Sequence, residues 1–475
     1  IIEKADFELQ HVKAMRNPFG DKIIEPESIL FGSLIVLFSV LSAVSLDWKI
    51  VIGIVAVSLA LCFLLRYPPV TFALFLSSGY FKGDPLISAL TGSLDLTLVF
   101  AVILSLCLFW QIAVKCVSFR LLRNIWPMVA MIAFAALSLL YTPDLSYGLP
   151  KVGLLVTGVM LSLIAGSLIL SRPQNLKTFL NTMVIIGSVM SIYAVVIGRT
   201  LGTNFINAFG SNYLTLGKAS AIAVFVLLFY DFEKNRLVAK TLKLLLCFVL
   251  LWSMMSSGGR GPVFAIVPAL AIGCLALWIK GDRFQFRHFV FVSIIIGLMI
   301  IVLLVSGLAG TTFINRASMV TNSLSNKTVA LSGGSTLGGS ATARIRYWSA
   351  SLKLWAGKPL GGVGIGGFNK AAFGTRGELY PHNIFFELVS ELGFIGLCLF
   401  LLQLFFCWRS IMTFLGRNIS RPAFSSGLIL LLLIAYLLVN ACLSGDLNDN
   451  RQLFALCGAA VALIGNAEQT EDASI

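Results

Sequence analysis

The sequence offers one imidazole in a setting that suits acid–base chemistry. His382 is followed at once by Asn383 and then by Glu387 and Glu391, which are spaced to share one face of a helix. A neutral imidazole titrates near physiological pH and can take a proton from a hydroxyl group. Asn383 is a residue type that caps helices or binds sugars, and we favour the cap. The two glutamates either orient the imidazole or pack inside the protein.

Three arginines are candidates for binding an anion. Arg260 is the only charge in the tight turn Ser256–Pro262. It either reaches lipid headgroups or grips a phosphate, which a planar guanidinium binds with two parallel hydrogen bonds. Arg344 and Arg346 lie in a later segment, which has the pattern of a short helix.

That segment, 343–356, is predicted to be an amphipathic helix because its apolar residues recur at intervals of three and four. The apolar positions are Ile345, Trp348, Leu352 and Trp355. Two tryptophans on a basic helix suit the membrane–water interface, although packing on the protein would give the same pattern. The glycine-rich run 361–367 lacks the βαβ context of a dinucleotide site. It predicts a close-packed bend that could offer N–H groups to a ligand.

Carboxylates are too sparse near these residues to predict a metal site. Glu378 is the only acidic residue between 309 and 383, and Asp446 and Asp449 are the nearest acidic pair beyond the glutamates. A metal-dependent transferase needs converging carboxylates. The cysteines also lack metal-ligand spacing. We therefore predict chemistry without a metal or another cofactor, with arginines neutralising charge.

The composition defines the class of protein that must position these residues. Of the 475 residues, 58% are hydrophobic and 12% are charged, and the mean hydropathy is +0.92. These values exclude a soluble enzyme, a disordered chain and a disulfide scaffold. We predict an all-α fold, a polytopic bundle of about 12–14 transmembrane helices. Apolar runs lie near 29–46, 50–65, 69–82, 95–115, 125–141, 152–170, 177–198, 214–230, 241–257, 262–280, 288–308, 384–406, 426–444 and 452–466.

Lysine and arginine are concentrated in alternate connections, which sets the orientation in a bacterial inner membrane. Pairs such as Arg120 with Arg123 and Arg283 with Arg287 mark the cytoplasmic side. The net charge of +14 therefore reflects topology, not nucleic-acid binding. The first residues are polar and do not resemble a cleavable signal peptide. The predicted parts are a cytoplasmic tail (1–28), a bundle of about 11 spans (29–308), a long periplasmic loop (309–383), C-terminal spans (384–466) and a cytoplasmic tail (467–475).

Four motifs, in this order, resemble the O-antigen ligase and polymerase superfamily. They are the Ser257-Gly-Gly-Arg260-Gly turn, the Arg344-x-x-x-Trp348 helix, the glycine-rich run from Lys358 to Phe368, and His382-Asn383-x9-Gly393-x-x-Gly396. Many spans with one large late loop fit as well, so the resemblance covers roughly residues 95–466. The motifs do not separate ligases from polymerases. The predicted spans also outnumber the dozen that are usual for a ligase.

The resemblance implies a metal-independent, inverting glycosyltransferase that acts at the periplasmic membrane face in lipopolysaccharide or polysaccharide biosynthesis. Its donor would be a glycan on undecaprenyl diphosphate, and its acceptor a sugar of the lipid A core or a lipid-linked glycan. Arg260, with Arg344 or Arg346, would bind the diphosphate, and His382 would act as the general base.

Two alternatives stay open. A polymerase of the same superfamily would move a growing O-antigen or exopolysaccharide chain onto a new lipid-linked repeat unit. A flippase or secondary transporter would need no chemistry. That second alternative predicts charges in mid-span and internal repeat symmetry, and the sequence shows neither.

Overall fold

A computed structural model describes residues 48–92, 94–115, 119–197, 206–230, 237–307, 339–417 and 420–472. The predicted N-terminal tail, the first predicted span and the first part of the long loop (308–338) lie outside these residues. Throughout the described part, the regular secondary structure is helical, which confirms the predicted all-α class. The chain divides after Tyr67 into two compact units.

The first unit, residues 1–67, contributes one described helix, α1 (Trp48–Arg66). This helix is 19 residues long and corresponds to the span predicted at 50–65. Its length is close to the roughly 20 apolar residues that a membrane crossing requires.

The second unit contains the other described helices. In chain order they are α2 (Pro68–Ser77), α3 (Pro85–Thr91), α4 (Leu96–Lys115), α5 (Trp126–Ser138), α6 (Leu145–Ile169), α7 (Pro173–Val196), α8 (Tyr213–Phe229), α9 (Leu237–Ser256), α10 (Arg260–Lys280), α11 (Arg283–Val305), α12 (Gly339–Gly357), α13 (Phe368–Phe373), α14 (Ile384–Glu391), α15 (Gly393–Gly416), α16 (Arg421–Leu443) and α17 (Arg451–Asp472). Within α6, a π-helical turn occupies Leu155–Met160.

Seven of the described helices are long and apolar enough to cross a membrane: α4, α6, α7, α10, α11, α15 and α16. The spans predicted at 69–82, 125–141 and 214–230 correspond to the shorter helices α2, α5 and α8. Large apolar side chains on α4 and α11 remain uncovered, for example Phe109 at 71% exposure and Phe291 at 62%. Such surfaces are stable when they face lipid. The protein is a multi-pass membrane protein.

Helix α16 forms the centre of the bundle. Most of its residues are buried, and it packs against α8, α10, α15 and α17. Helix α17 in turn packs along α6, on the side that follows the π-helical turn. These contacts bring the start of α17 and the first half of α6 to the same region of the molecule.

The single span predicted over 384–406 is wrong, because the helix breaks at Gly393. Gly393 has a φ of 62°, which a continuous helix cannot accommodate. The N–H groups of the next two residues donate to the carbonyl oxygens of Pro359 (2.8 Å) and Leu360 (3.1 Å). The glycine-rich bend therefore replaces the missing helical hydrogen bonds, and α14 becomes a separate short helix with His382 just before its start.

Candidate active site

A groove of about 570 Å³ lies where the ends of several helices meet. The segment after α2, the start of α8, the side of α12 and the start of α17 form its walls, together with the loops 380–382 and 444–450. The lining includes Lys218, Arg344, His382, Asp449 and Arg451, and four tyrosines, Tyr80, Tyr213, Tyr347 and Tyr380. These residues are called the groove below.

Three half-buried cations give the groove a positive charge. Lys218, Arg344 and Arg451 carry three positive charges against the single negative charge of Asp449, so the formal sum is 3 − 1 = +2. Among the residues that the structure describes, these cations take part in no ion pair. Between charges 4 Å apart near a protein surface, the Coulomb energy is about 4 kcal/mol. The groove therefore suits an anion with at least two charges.

His382 faces this groove in a strained backbone conformation. Its φ is 57°, in the left-handed region, which costs a non-glycine residue about 1–2 kcal/mol. Such strain is often found at functional sites. Burial lowers the pKa of the imidazole and the nearby Arg344 lowers it further, while Asp446 and Asp449 oppose the change. His382 is therefore neutral at pH 7, in the state that can accept a proton.

Aromatic contacts hold His382 in place. Its ring packs edge-on against Tyr380 at 4.5 Å between ring centroids. The indole N–H of Trp348 on α12 donates to the carbonyl oxygen of Pro381 at 3.1 Å, and the indole stacks on Phe386 at 5.3 Å. Part of the predicted apolar face of α12 thus packs on α14. Its other members, Ile345 and Leu352, remain 59% and 47% exposed, as expected of an interfacial helix.

Asn383 forms the helix cap that we favoured. Its side-chain oxygen accepts hydrogen bonds from the backbone N–H groups of Phe385 (3.0 Å) and Phe386 (3.3 Å). Its amide nitrogen donates to the carbonyl oxygen of Cys442 at the end of α16 (3.0 Å). The residue is buried and anchors the start of α14, so it holds its neighbour His382 in position.

The two arginines of α12 lie in different environments. Arg344 lines the groove, whereas Arg346 is exposed and lies 5.0 Å above the ring of Phe373. Residues two apart on a helix point to different sides, so α12 can direct only one of them into the groove. The structure therefore favours Arg344 over Arg346 as an anion ligand.

Arg260 lies beside the groove rather than in its lining. It is half-buried at the start of α10, directly after Gly259. A Cβ atom at Gly259 would come within 3.4 Å of the side chain of Leu214, which itself lines the groove. The turn predicted at this position is present, and its backbone forms part of the support for the groove.

Glu387 and Glu391 point away from the groove into the protein. Both side chains are 1% exposed, and they contact the ammonium group of Lys151 at 2.6 Å and 2.8 Å. Of the two roles expected for them, orientation of the imidazole or packing inside the protein, the structure favours the second. A contact with substrate is not among their described contacts.

The glycine-rich run is a close-packed bend, as predicted. Gly364 has a φ of 97°, and a Cβ atom there would lie 2.7 Å from the Cα atom of Thr142. The expectation that the run offers N–H groups to a ligand is not supported. The N–H groups of Val363 and Gly364 donate to the carbonyl oxygens of Ser390 and Glu391, each at 2.9 Å.

Sequence reasoning missed Lys218, Arg451 and Asp449 as groove residues. A usable signal was present, since a charge at the end of an otherwise apolar helix requires a partner or a polar cavity. Their convergence could not be read because more than two hundred positions separate Lys218 from Arg451 along the chain. In the described part of the chain, no group of three or more His, Cys, Asp or Glu residues has an arrangement suited to a metal ion. Metal independence itself stays a prediction.

Comparison with known families agrees with the motifs. The O-antigen ligase family (Wzy_C) matches residues 244–401, which include Arg260, α12, the glycine-rich bend and His382. Lys218 and Arg451 lie on either side of this region. No curated protein matches the chain. The match confirms the predicted resemblance, and through residues 244–401 the chain belongs to the O-antigen ligase and polymerase superfamily.

Proposed function

We propose that this protein is an inverting glycosyltransferase of the O-antigen ligase type, which moves a glycan from undecaprenyl diphosphate to a sugar hydroxyl. One observation carries the proposal: three cations and a neutral imidazole converge on a single groove. The family match supports a role in O-antigen assembly. The charge of the groove supports a diphosphate-linked donor.

In the proposed reaction, His382 takes the proton from the acceptor hydroxyl as the hydroxyl oxygen bonds to the anomeric carbon of the donor. The bond between that carbon and the phosphate oxygen breaks, and the diphosphate leaves with the electron pair. Attack from the face opposite the leaving group inverts the anomeric centre. The products are the new glycoside, undecaprenyl diphosphate and a protonated imidazole.

The cations stabilise the leaving group in this scheme. A sugar diphosphate carries about two negative charges near neutral pH, which the formal +2 of the groove would balance. As the bond to the sugar breaks, additional charge develops on the phosphate oxygen, and fixed cations lower the energy of that state. Lys218, Arg344 and Arg451 are the groove residues proposed for this role, with Arg260 behind them.

We place the groove on the periplasmic side of the inner membrane. The alternation of basic connections supports this orientation. The groove also lies at helix ends and loops, where the diphosphate headgroup of a membrane lipid would be found. The four tyrosines of its lining offer ring faces and hydroxyl groups to sugar units on that lipid.

The acceptor separates the ligase from the polymerase. A ligase uses a sugar of the lipid A core, while a polymerase uses a second lipid-linked repeat unit, and the same base and cations would serve either reaction. The transporter alternative predicts movement of the lipid-linked glycan across the membrane without a new glycosidic bond.

The test uses purified protein in lipid nanodiscs with a lipid-linked donor, each acceptor in turn, and EDTA in the buffer. We expect transfer to the lipid A core sugar, and His382→Ala should lower its rate about 10²- to 10⁴-fold with donor binding retained. His288→Ala is the matched control, because His288 is an exposed histidine on α11, outside the groove. Equal rates for both variants would refute the role of His382. A requirement for Mg²⁺ would refute the metal-free mechanism, and product only from a second repeat unit would establish the polymerase.

A further inference from the structure

A buried ionic cluster lies behind the groove. The ammonium group of Lys151 on α6 lies 2.6 Å from Glu387, 2.8 Å from Glu391 and 3.2 Å from Asp446. The Lys151 side chain is 0% exposed, and those of its partners are at most 9% exposed. These four residues are called the Lys151 cluster. Buried charges persist only when they are paired, so the contacts fix the relative positions of three segments of the chain.

The cluster has more negative than positive groups. One ammonium against three carboxylates gives a formal sum of 1 − 3 = −2 when all are ionised. A buried net charge of this size is very costly, so the cluster also retains protons. Burial would raise the pKa of Asp446, but Lys151 and the surrounding hydrogen bonds hold it at about 2. Asp446 therefore remains ionised, and Lys151 is the only cation that the cluster contains.

Each partner of Lys151 belongs to a different wall of the groove. Glu387 and Glu391 lie on α14, which begins directly after His382 and Asn383. Asp446 begins the 3₁₀ turn Leu447–Asn450, which is followed by Arg451. A second contact joins the same walls, since the N–H of Leu447 donates to a carboxylate oxygen of Glu387 at 3.1 Å.

Helix α6 also contacts the groove wall at a second point. The hydroxyl of Tyr147 donates to the other carboxylate oxygen of Asp446 at 3.0 Å. Further along α6, inside the π-helical turn, a Cβ atom at Gly158 would lie 3.0 Å from the Cδ atom of Arg451. Turns of this kind often occur near functional sites. One helix therefore supports both the loop that carries Asp449 and the side chain of Arg451.

We propose that Lys151 is a positioning residue that sets the separation between His382 and the Asp449–Arg451 wall of the groove. The inference rests on the proposed function, because it assigns the alignment of the base with the anion ligands to a buried residue outside the groove. Misplacement by about 1 Å can cost a transferase roughly 10²-fold in rate. Loss of the ammonium should therefore affect the chemical step more than donor binding.

The test measures kcat and the KM for donor, per folded molecule, in Lys151→Met and Tyr147→Phe. Methionine matches the length of lysine without its charge, and phenylalanine removes only the hydroxyl that contacts Asp446. We expect kcat to fall about 10- to 100-fold in Lys151→Met and about 3- to 10-fold in Tyr147→Phe, with KM within about threefold of the wild type. Lys82→Met is the matched control, since it breaks an exposed ion pair with Asp95 (2.7 Å) and should leave both constants unchanged.

Two further variants keep the result decisive. If Lys151→Met does not fold, Tyr147→Phe and Gly158→Ala supply the answer, because Gly158→Ala displaces Arg451 without changing any charge. Wild-type kcat in every folded variant would overturn the positioning role. A lower yield of folded protein with normal kcat would overturn it as well, since it shows a purely structural role. In either case, activity of the wild type and its loss in His382→Ala would leave the proposed function standing.

Discussion

Arg344 and Arg346 provide a sharp test of the groove, because sequence treats them alike and the structure does not. The perturbation is Arg344→Gln, with Arg346→Gln as the matched control on the same helix. Glutamine keeps length and polarity but removes the charge. Arg344 lines the groove, whereas Arg346 is exposed over Phe373.

The magnitude follows from the charges of the groove. Loss of Arg344 reduces the formal sum from +2 to +1 and removes one ligand of the proposed diphosphate. A hydrogen bond to a charged group contributes about 1.5–3 kcal/mol. At about 1.4 kcal/mol for each factor of ten, kcat/KM should fall roughly 10- to 150-fold. For Arg346, loss of an exposed cation–π contact of about 0.5–1 kcal/mol affects stability and leaves kcat/KM within about threefold.

The assay is initial-rate glycan transfer in nanodiscs at several donor concentrations, at low and high salt. Arg344→Gln should raise the KM for donor, and it should also lower kcat if the charge on the leaving group increases in the transition state. The wild type should lose more activity with salt than Arg344→Gln does, because screening weakens an interaction that the variant has already lost.

The reasoning fails if Arg346→Gln loses as much activity as Arg344→Gln. It also fails if Arg344→Gln retains wild-type kcat/KM. The first result would place the anion on the other side of α12, and the second would remove Arg344 from the donor site altogether.

Two other predictions follow from the same geometry. Because burial and Arg344 lower the pKa of His382, the base stays neutral down to below its usual value near 6.5, and activity should be lost only at lower pH; the pH profile of kcat/KM checks this, and Arg344→Gln should move the acid limb to higher pH, whereas an acid limb above 6.5 in the wild type would contradict it. In a variant without the nine native cysteines, a cysteine at the exposed Glu378 should react with an impermeant thiol reagent on spheroplasts and one at the exposed Gln174 should not, while the opposite pattern would refute the periplasmic orientation.

Much of the fold could be predicted because a bilayer permits few solutions. Long apolar runs must form helices in which the backbone satisfies its own hydrogen bonds, so hydropathy alone predicts α4, α7, α11 and α16 within a few residues. Local chemistry also indicated the Asn383 cap and the close-packed glycine-rich bend. The break at Gly393 could not be predicted in this way, because it depends on carbonyl groups from the preceding loop.

The sequence by itself determined the membrane class, the family motifs and the imidazole of His382, since each depends on residue type and short spacing. Only the tertiary structure decided which charges share a site. It directed Arg344 into the groove and Arg346 out of it, buried Glu387 and Glu391 against Lys151, and added Lys218 and Arg451 to the groove. The physical reason is that the energy of a charge inside a membrane protein depends on its partners and burial. Those are set by the packing of helices that are distant in the chain.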